Sequence, residues 1–492
     1  MTGIVTTDKT ATPERGWPVL LPPALLTLLL GFWGVERGGS IWRDEVVSYQ
    51  VAHRSLPEIW RLLHEIDAVH GLHYLLLNTV FRLWDGGLPA LRLPSVLAMA
   101  LAAGALAETG RRLAGRRAGL LAGLVFALVP AVQQYAQEGR SYASVCAAVV
   151  LGSLLLVRAW QRPTARAWTA YGAVMLIGAL LHEFAVLAMA AHALTLCWGR
   201  AGRRVWAGWA VAAAAVLAGV LPLSLISRAQ ADQVAWITTP GWSDVWAPAL
   251  TSAVGALCAC LRQPAAPGAP CRARALALPL LVLPPAALIL VSFLDPLYVD
   301  RYVVFSYAGL ALLLGLALDR AWARLPRALT EWPVPGRPVV ASLALTVLVL
   351  APLPLERGLR TPQSRPNDVA AAARAARDLG RPGDAVLFVP GARREAALYD
   401  PAAFAGLRDL ALARTGADSG TINGVETGPE RIRAAVAAQR RVVLVTDPRP
   451  RAGASARDQA KLAALAARFT PCRTRAIHGI TVTLYTVRGA CG

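Results

Sequence analysis

The chain has 492 residues, is 55% hydrophobic and only 16% charged, and has a mean hydropathy of +0.46. Soluble domains carry about 25% charged residues, so this composition excludes an ordinary water-soluble protein and points to lipid as solvent. The formal net charge of +20 does not read as nucleic-acid binding, because the basic residues are nearly all Arg, gather between apolar runs, and lack interleaved aromatics.

In chain order, residues 1–16 are polar and read as a disordered cytoplasmic N-terminus. The first apolar run, Trp17 to Val35, has no small-residue cleavage pattern behind it and reads as a retained helix rather than a signal peptide. A polar stretch, Glu36 to Gly71, follows. Leu72 to Trp84 is amphipathic but short of the roughly 20 residues a span needs. If it crossed, the cluster Arg111 to Arg117 would share a side with the long first loop. If it lies in the interface, that cluster is cytoplasmic, as basic clusters are. The second choice predicts an interfacial helix.

Further spans are then expected at 89–110, 118–136, 141–160, 167–181, 184–198, 205–226, 245–262, 275–294, 303–323 and 336–354, about eleven in all with the first. The Arg clusters at 158–166, 200–204, 262–274 and 320–337 then fall inside. The loops with Glu138 to Arg140, His182-Glu183, Asp232 and Tyr298 to Tyr302 fall outside.

From about residue 356 the pattern changes. Asp384 to Pro390, Arg441 to Asp447 and Gly479 to Arg488 read as strands, with helical runs at Asn367 to Leu379 and Glu430 to Gln439. The expected organisation is a transmembrane domain, 17–355, and a small α/β domain, 356–492, on the outer face. No Gly-rich phosphate fingerprint follows its strands, so the tail is expected to have no catalytic role. Of seven cysteines, Cys472 and Cys491 lie in this tail and are able to pair in an oxidising compartment.

The polar loops hold the chemistry-bearing residues. Asp44-Glu45 follows the first helix; its plain reading is solvated or capping carboxylates, its functional reading a general base or a metal ligand. Asp67, His70 and His73 enter the interfacial helix. The histidines share a face, either as interface anchors or, together with Asp67, as ligands to a divalent cation. Glu138-Gly139-Arg140-Ser141-Tyr142 forms a charged turn in which Arg140 suits a phosphate clamp. His182 sits between two short spans, and Arg301-Tyr302 opens a late helix, where an anion is favoured. Acids, His and Arg at several helix mouths on one face suit an enzyme acting on a lipid phosphate.

These motifs in this order resemble the GT-C class of lipid-linked-sugar-dependent glycosyltransferases, nearest to family 39, the protein O-mannosyltransferase and aminoarabinose-transferase type. Asp44-Glu45 matches that family's first-loop acidic pair. His70-Gly71-Leu72-His73-Tyr74 stands where the family carries a basic residue and Pro-Pro-Leu, without the prolines. Glu138, Arg140 and Tyr142 match a Glu-x-Arg-x-Tyr motif, and His182 and Arg301-Tyr302 match later positions. The resemblance covers about residues 17–323.

It implies a multi-pass protein of the inner or plasma membrane that moves a sugar, mannose-like as a guess, from a polyprenyl phosphate to a protein, lipid or glycan on the outer face. Asp44 would be the base. Glu45 and His70 would orient the acceptor or a metal. Arg140 and Arg301 would hold the phosphate, among Asp67, His73, Glu138, Tyr142, His182 and Tyr302. A divalent cation stays open. Two other readings are a flippase of lipid-linked sugars, for which no internal repeat is seen, and a non-enzymatic scaffold for envelope assembly.

Overall fold

The computed structural model describes residues 17–261, 265–324, 353–449, 455–488 and 490–491. The N-terminal sixteen residues and all but the end of the expected span 336–354 lie outside them. The membrane part is a helical bundle: α1 Trp17–Phe32, α5 Gly87–Ala114, α6 Arg116–Ala127, α7 Pro130–Ala136, α8 Tyr142–Gln161, α9 Ala165–Leu181, α10 Val186–Trp198, α11 Arg203–Ala229, α12 Trp242–Cys260, α13 Ala273–Ser292 and α14 Tyr307–Ala323. Among the described residues, six helices are long and apolar enough to cross a membrane, or seven if α6 and α7 count as one span. Each expected span up to 303–323 coincides with a helix, save one. The expected 118–136 span is broken at Leu128-Val129 and bent by 62°, because Pro130 at the start of α7 cannot donate into the preceding turn.

The bundle has two chemically distinct ends. The 28-residue α5 spans about 42 Å at 1.5 Å per residue. At one end Arg111 and Arg112 grip Glu108 at 2.6 and 2.7 Å, and Arg112 reaches Gln161 at 2.9 Å. Near there Arg117 pairs with Asp319. At the other end Arg92 is buried among the polar loops. The two ends thus differ in kind: one carries exposed and half-buried Arg pairs, the other buried Arg among packed loops.

The first loop is not an irregular polar stretch. It contains α2 Arg43–Ala52 and α3 Leu56–Glu65, followed by α4 Gly71–Leu83. A capping box starts α3, where the Ser55 amide donates to Glu58 at 2.8 Å. Helix α4 has 13 residues, about 20 Å, too short to cross. It buries His73, Tyr74, Leu77, Asn78 and Phe81, and leaves Leu75, Leu76 and Leu83 exposed. That two-sidedness is what the interfacial helix requires.

The tail holds a five-stranded sheet in the order β2-β1-β5-β7-β6. The strands are β1 Ala385–Val389, β2 Arg408–Asp409, β5 Arg441–Thr446, β6 Phe469–Ile477 and β7 Ile480–Val487; β3 Leu412–Arg414 and β4 Val425–Glu426 pair separately. β1 runs parallel to β2 and β5, with Val386 beside Val443; β7 is antiparallel to β5 and β6. Cys472 and Cys491 form a disulfide. One face packs Ile432, Val436 and Leu465. The other face shares a core with the first loop: Val369, Ala373, Phe388, Val443 and Val482 meet Ile41, Val46, Leu77 and Leu91. The tail and the first loop are therefore one packed body.

Candidate active site

Glu45 is fully buried among the loops. Its Oε1 accepts from Arg92 Nε at 2.7 Å and the Gly139 amide at 3.1 Å. Its Oε2 accepts from Arg37 Nη2 at 2.6 Å and Arg92 Nη2 at 2.8 Å. All four lone-pair sites are taken. Burial opposes its ionisation, but Arg37 and Arg92 hold its carboxyl down at about 2. Glu45 is thus a strut that ties α2 to α5 and to the second loop. It has nothing left for an acceptor or a metal. Gly139 is required at this strut, because a Cβ there would run into Leu91.

One residue earlier, Asp44 is half-buried, and its carboxylate has one long contact, to Arg301 Nη2 at 3.6 Å. Arg301 Nε donates to Tyr142 Oη at 3.0 Å. Its guanidinium lies 5.5 Å from the Trp236 ring, 5.6 Å from Tyr142 and 5.7 Å from Tyr302. His182 is buried beside these rings, 4.5 Å from Tyr302 and 6.0 Å from His70. Its Nδ1 has no hydrogen-bond partner among the described residues. Burial and the neighbouring His70 and Arg140 push its basicity well down, so it stays neutral.

Arg140 completes the group. It is buried, and donates to Ser48 Oγ at 3.3 Å and His70 Nε2 at 2.8 Å. A guanidinium cannot accept, so His70 Nε2 must, which leaves Nδ1–H to donate to Asp67 Oδ1 at 2.7 Å. Burial and Arg140 lower the basicity of His70, in keeping with this neutral tautomer. Asp67 adopts a left-handed backbone, φ 63°, which lets it close the turn before α4, and it also accepts from Tyr74. Burial opposes its charge, yet His70 and Arg140 hold its carboxyl at about 2. The hydrogen-bond partners of Arg140 are Ser48, His70 and Tyr74, and among the described residues no carboxylate pairs with it directly. Burial opposes its charge, but Tyr142, Tyr74 and the nearby Asp44 and Asp67 favour it, so it stays a cation, and its Nε has no hydrogen-bond partner among the described residues.

The structure therefore brings Asp44, His70, Arg140, Tyr142, His182, Arg301 and Tyr302 together, supported by Asp67. His73 sits just behind, its Nε2–H donating to the Gly139 carbonyl at 3.2 Å. Glu138 does not join them. It is buried against Arg365 of the tail at 3.4 Å, with Oε1 unpartnered, and burial raises its pKa. Asp44 and His70, the candidate metal ligands expected from sequence, are not accompanied by a third ligand among the described residues. Both His70 nitrogens are engaged, and among the described residues no three His, Cys, Asp or Glu side chains gather as ligands. Arg92, Ser48, Tyr74 and Trp236 were not singled out from sequence. Arg92 had a readable signal, a lone Arg within an apolar helix.

The buried histidines predict an acid-sensitive loop. Burial and Arg140 depress His73 from 6.5 to about 3. The unfolded chain binds a proton near 6.5 that the folded chain refuses until about 3, so stability falls as pH drops through that window. Melting temperature in detergent should decline over this range, and His73→Gln should flatten the decline. An unaltered slope in that variant would remove His73 from the explanation.

The family model described as dolichyl-phosphate-mannose-protein mannosyltransferase matches residues 72–226. The structure of ArnT from Cupriavidus metallidurans in the apo state is 16% identical, covering 95% of this chain and 98% of that one, with a TM-score of 0.58. The same protein bound to undecaprenyl phosphate is 15% identical, covering 98% of this chain and 100% of that one, with a TM-score of 0.54. No curated protein matches the chain in sequence. By fold, the chain is similar to ArnT along nearly its whole length.

Proposed function

We propose that this GT-C-fold membrane protein transfers a sugar from a polyprenyl-phosphate donor to an acceptor hydroxyl or amine, at the end of the bundle where its polar loops meet. The observation that carries this reading is Arg140, a buried guanidinium with no direct carboxylate contact among the described residues, facing the same group of residues as Arg301 and Asp44. Two cations suit a lipid phosphate that gains charge as it departs. Asp44 is the carboxylate in the group with unspent lone pairs, and it takes the proton of the attacking acceptor. The acceptor atom bonds to the sugar's anomeric carbon as the bond from that carbon to the phosphate oxygen breaks. His70, held by Asp67, fixes Arg140. Tyr142, Tyr302, Trp236 and His182 wall Arg301.

The Arg clusters at 111–117, 158–166 and 200–204, in loops at the far end of the bundle, support placing this end, and the tail with it, outside the cytoplasm of an inner or plasma membrane. Mannose is the working guess for the sugar, and a protein, lipid or glycan of the cell envelope for the acceptor. The fold's likeness to a protein solved with undecaprenyl phosphate supports a donor of that chemistry.

Arg140→Met tests the phosphate site directly. A charge-assisted contact is worth about 1.5–3 kcal/mol, so undecaprenyl phosphate should bind roughly tenfold to a hundredfold more weakly. Unchanged binding, in a variant with wild-type melting temperature, would sink the reading.

A further inference from the structure

The tail was expected to have no part in catalysis, yet a short strap from it touches both loops that carry the reacting groups. The strap runs from Arg365 to Val369. The Val369 amide donates to the Ile41 carbonyl at 2.9 Å. Asn367 Oδ1 accepts from the Arg43 amide at 3.0 Å. These two bonds grip the residues immediately before Asp44, at the entry to α2. On the second loop, Arg365 Nη2 donates to the Gln134 carbonyl at 2.7 Å and its Nε lies 3.4 Å from Glu138. Farther into the tail, Glu395 reaches the Arg43 side chain at 3.5 Å.

The strap is itself anchored. His478 Nε2–H donates to the Arg365 carbonyl at 2.7 Å, and the Asp368 amide donates to the His478 carbonyl at 3.0 Å. His478 precedes Gly479, whose left-handed φ of 70° forms the β6–β7 turn. Pro366 and Asn367 pack so closely on Gly479 that no Cβ fits there. The hairpin thus fixes the strap, and the strap fixes the spacing between Asp44 and the Arg140 loop.

We propose that Asn367 and Arg365 are positioning residues for the transfer reaction, acting through the Arg43 amide and the 134–138 loop to hold Asp44 at working distance from the bound phosphate. This rests on the functional reading above. A displacement of about 1 Å in a reacting group can cost on the order of a hundredfold in rate. Among the described residues Asn367 bonds the Arg43 amide and neither Arg140 nor Arg301, so donor affinity does not depend on its side chain.

The full-length chain in detergent or nanodiscs gives the test. Asn367→Ala removes the acceptor for the Arg43 amide, while Asn367→Asp keeps an oxygen there. The alanine variant should lose roughly tenfold to a hundredfold in kcat, with KM for a polyprenyl-phosphate sugar and binding of undecaprenyl phosphate unchanged. The aspartate variant should recover most of the loss. Amide exchange at residues 41–45 should accelerate in Asn367→Ala and return towards wild type in Asn367→Asp. Unchanged exchange at 41–45 in the alanine variant overturns the brace whatever the activity. Faster exchange with wild-type kcat overturns the positioning role. A wild-type chain that transfers no sugar defeats the functional reading instead, and the exchange comparison still decides whether the strap holds the loop.

Discussion

Replacing Asp44 by Asn should abolish sugar transfer while leaving the protein folded. A positioned general base contributes roughly 10² to 10⁴-fold, and Asn is nearly the same size but cannot take a proton. Asp44 is half-buried with one contact, at 3.6 Å from Arg301, so little packing is lost. Removing a carboxylate beside the phosphate site also removes a like charge. Undecaprenyl phosphate should therefore bind to Asp44→Asn as well as to wild type, or more tightly. Initial rates with a polyprenyl-phosphate sugar, together with binding and melting temperature, distinguish the cases. Full activity would show that another group takes the proton. Loss of both activity and fold would move Asp44 from chemistry to structure.

The neighbouring acid should behave in the opposite way. Glu45→Ala leaves Arg37 and Arg92, both buried, without the carboxylate that all their shared contacts converge on. Removing one partner of a buried ion pair costs about 3–5 kcal/mol. At about 2–4 °C per kcal/mol, the melting temperature should drop by roughly 10 °C. Adding Arg37→Met should restore part of that loss by removing one stranded charge. If Glu45→Ala keeps its melting temperature but loses transfer, then Glu45 is a reacting group and the strut assignment fails. Two adjacent carboxylates thus differ in kind: one is spent on architecture, the other is available for reaction.

The sequence could not separate them. Asp44 and Glu45 are identical in charge type and one residue apart, and both stand in the first turn of α2. Which one turns inward depends on Arg92, 47 residues farther on, and on the Gly139 amide, 94 residues from Glu45. Contacts at that range leave no local pattern. Apolar length and Arg placement, by contrast, are local, and they located α4 and the helices from Trp17 to Ala323 well. The break at Pro130 was also local and was passed over, since an apolar run hides a proline. The grouping of Arg140, His182 and Arg301 was legible only as an ordered series of motifs. The Arg140–His70–Asp67 chain, which orients that set, was not. Glu138 was misplaced for the same reason as Glu45: its partner, Arg365, lies in the tail. The tail's strands were readable because buried parallel strands are continuous apolar runs, such as Ala385–Val389. Its edge strand β6 is polar and exposed along most of its length, and it offered no such run.

The bond between Asn367 and the Arg43 amide joins residues 324 apart. A ribosome adds roughly 5–20 residues per second, so the first loop is made about 15 seconds to one minute before the strap that seats it. Through that interval the nascent chain has already threaded most of its helices into the bilayer, with Ile41, Val46 and Leu77 still lacking the apolar face that will cover them. Maturation of the reaction centre is therefore a terminal event of biosynthesis. A message truncated before codon 365 would yield an inserted bundle that lacks the clasp, and quality-control proteases that recognise uncovered apolar surface would meet it first at the 41–46 segment.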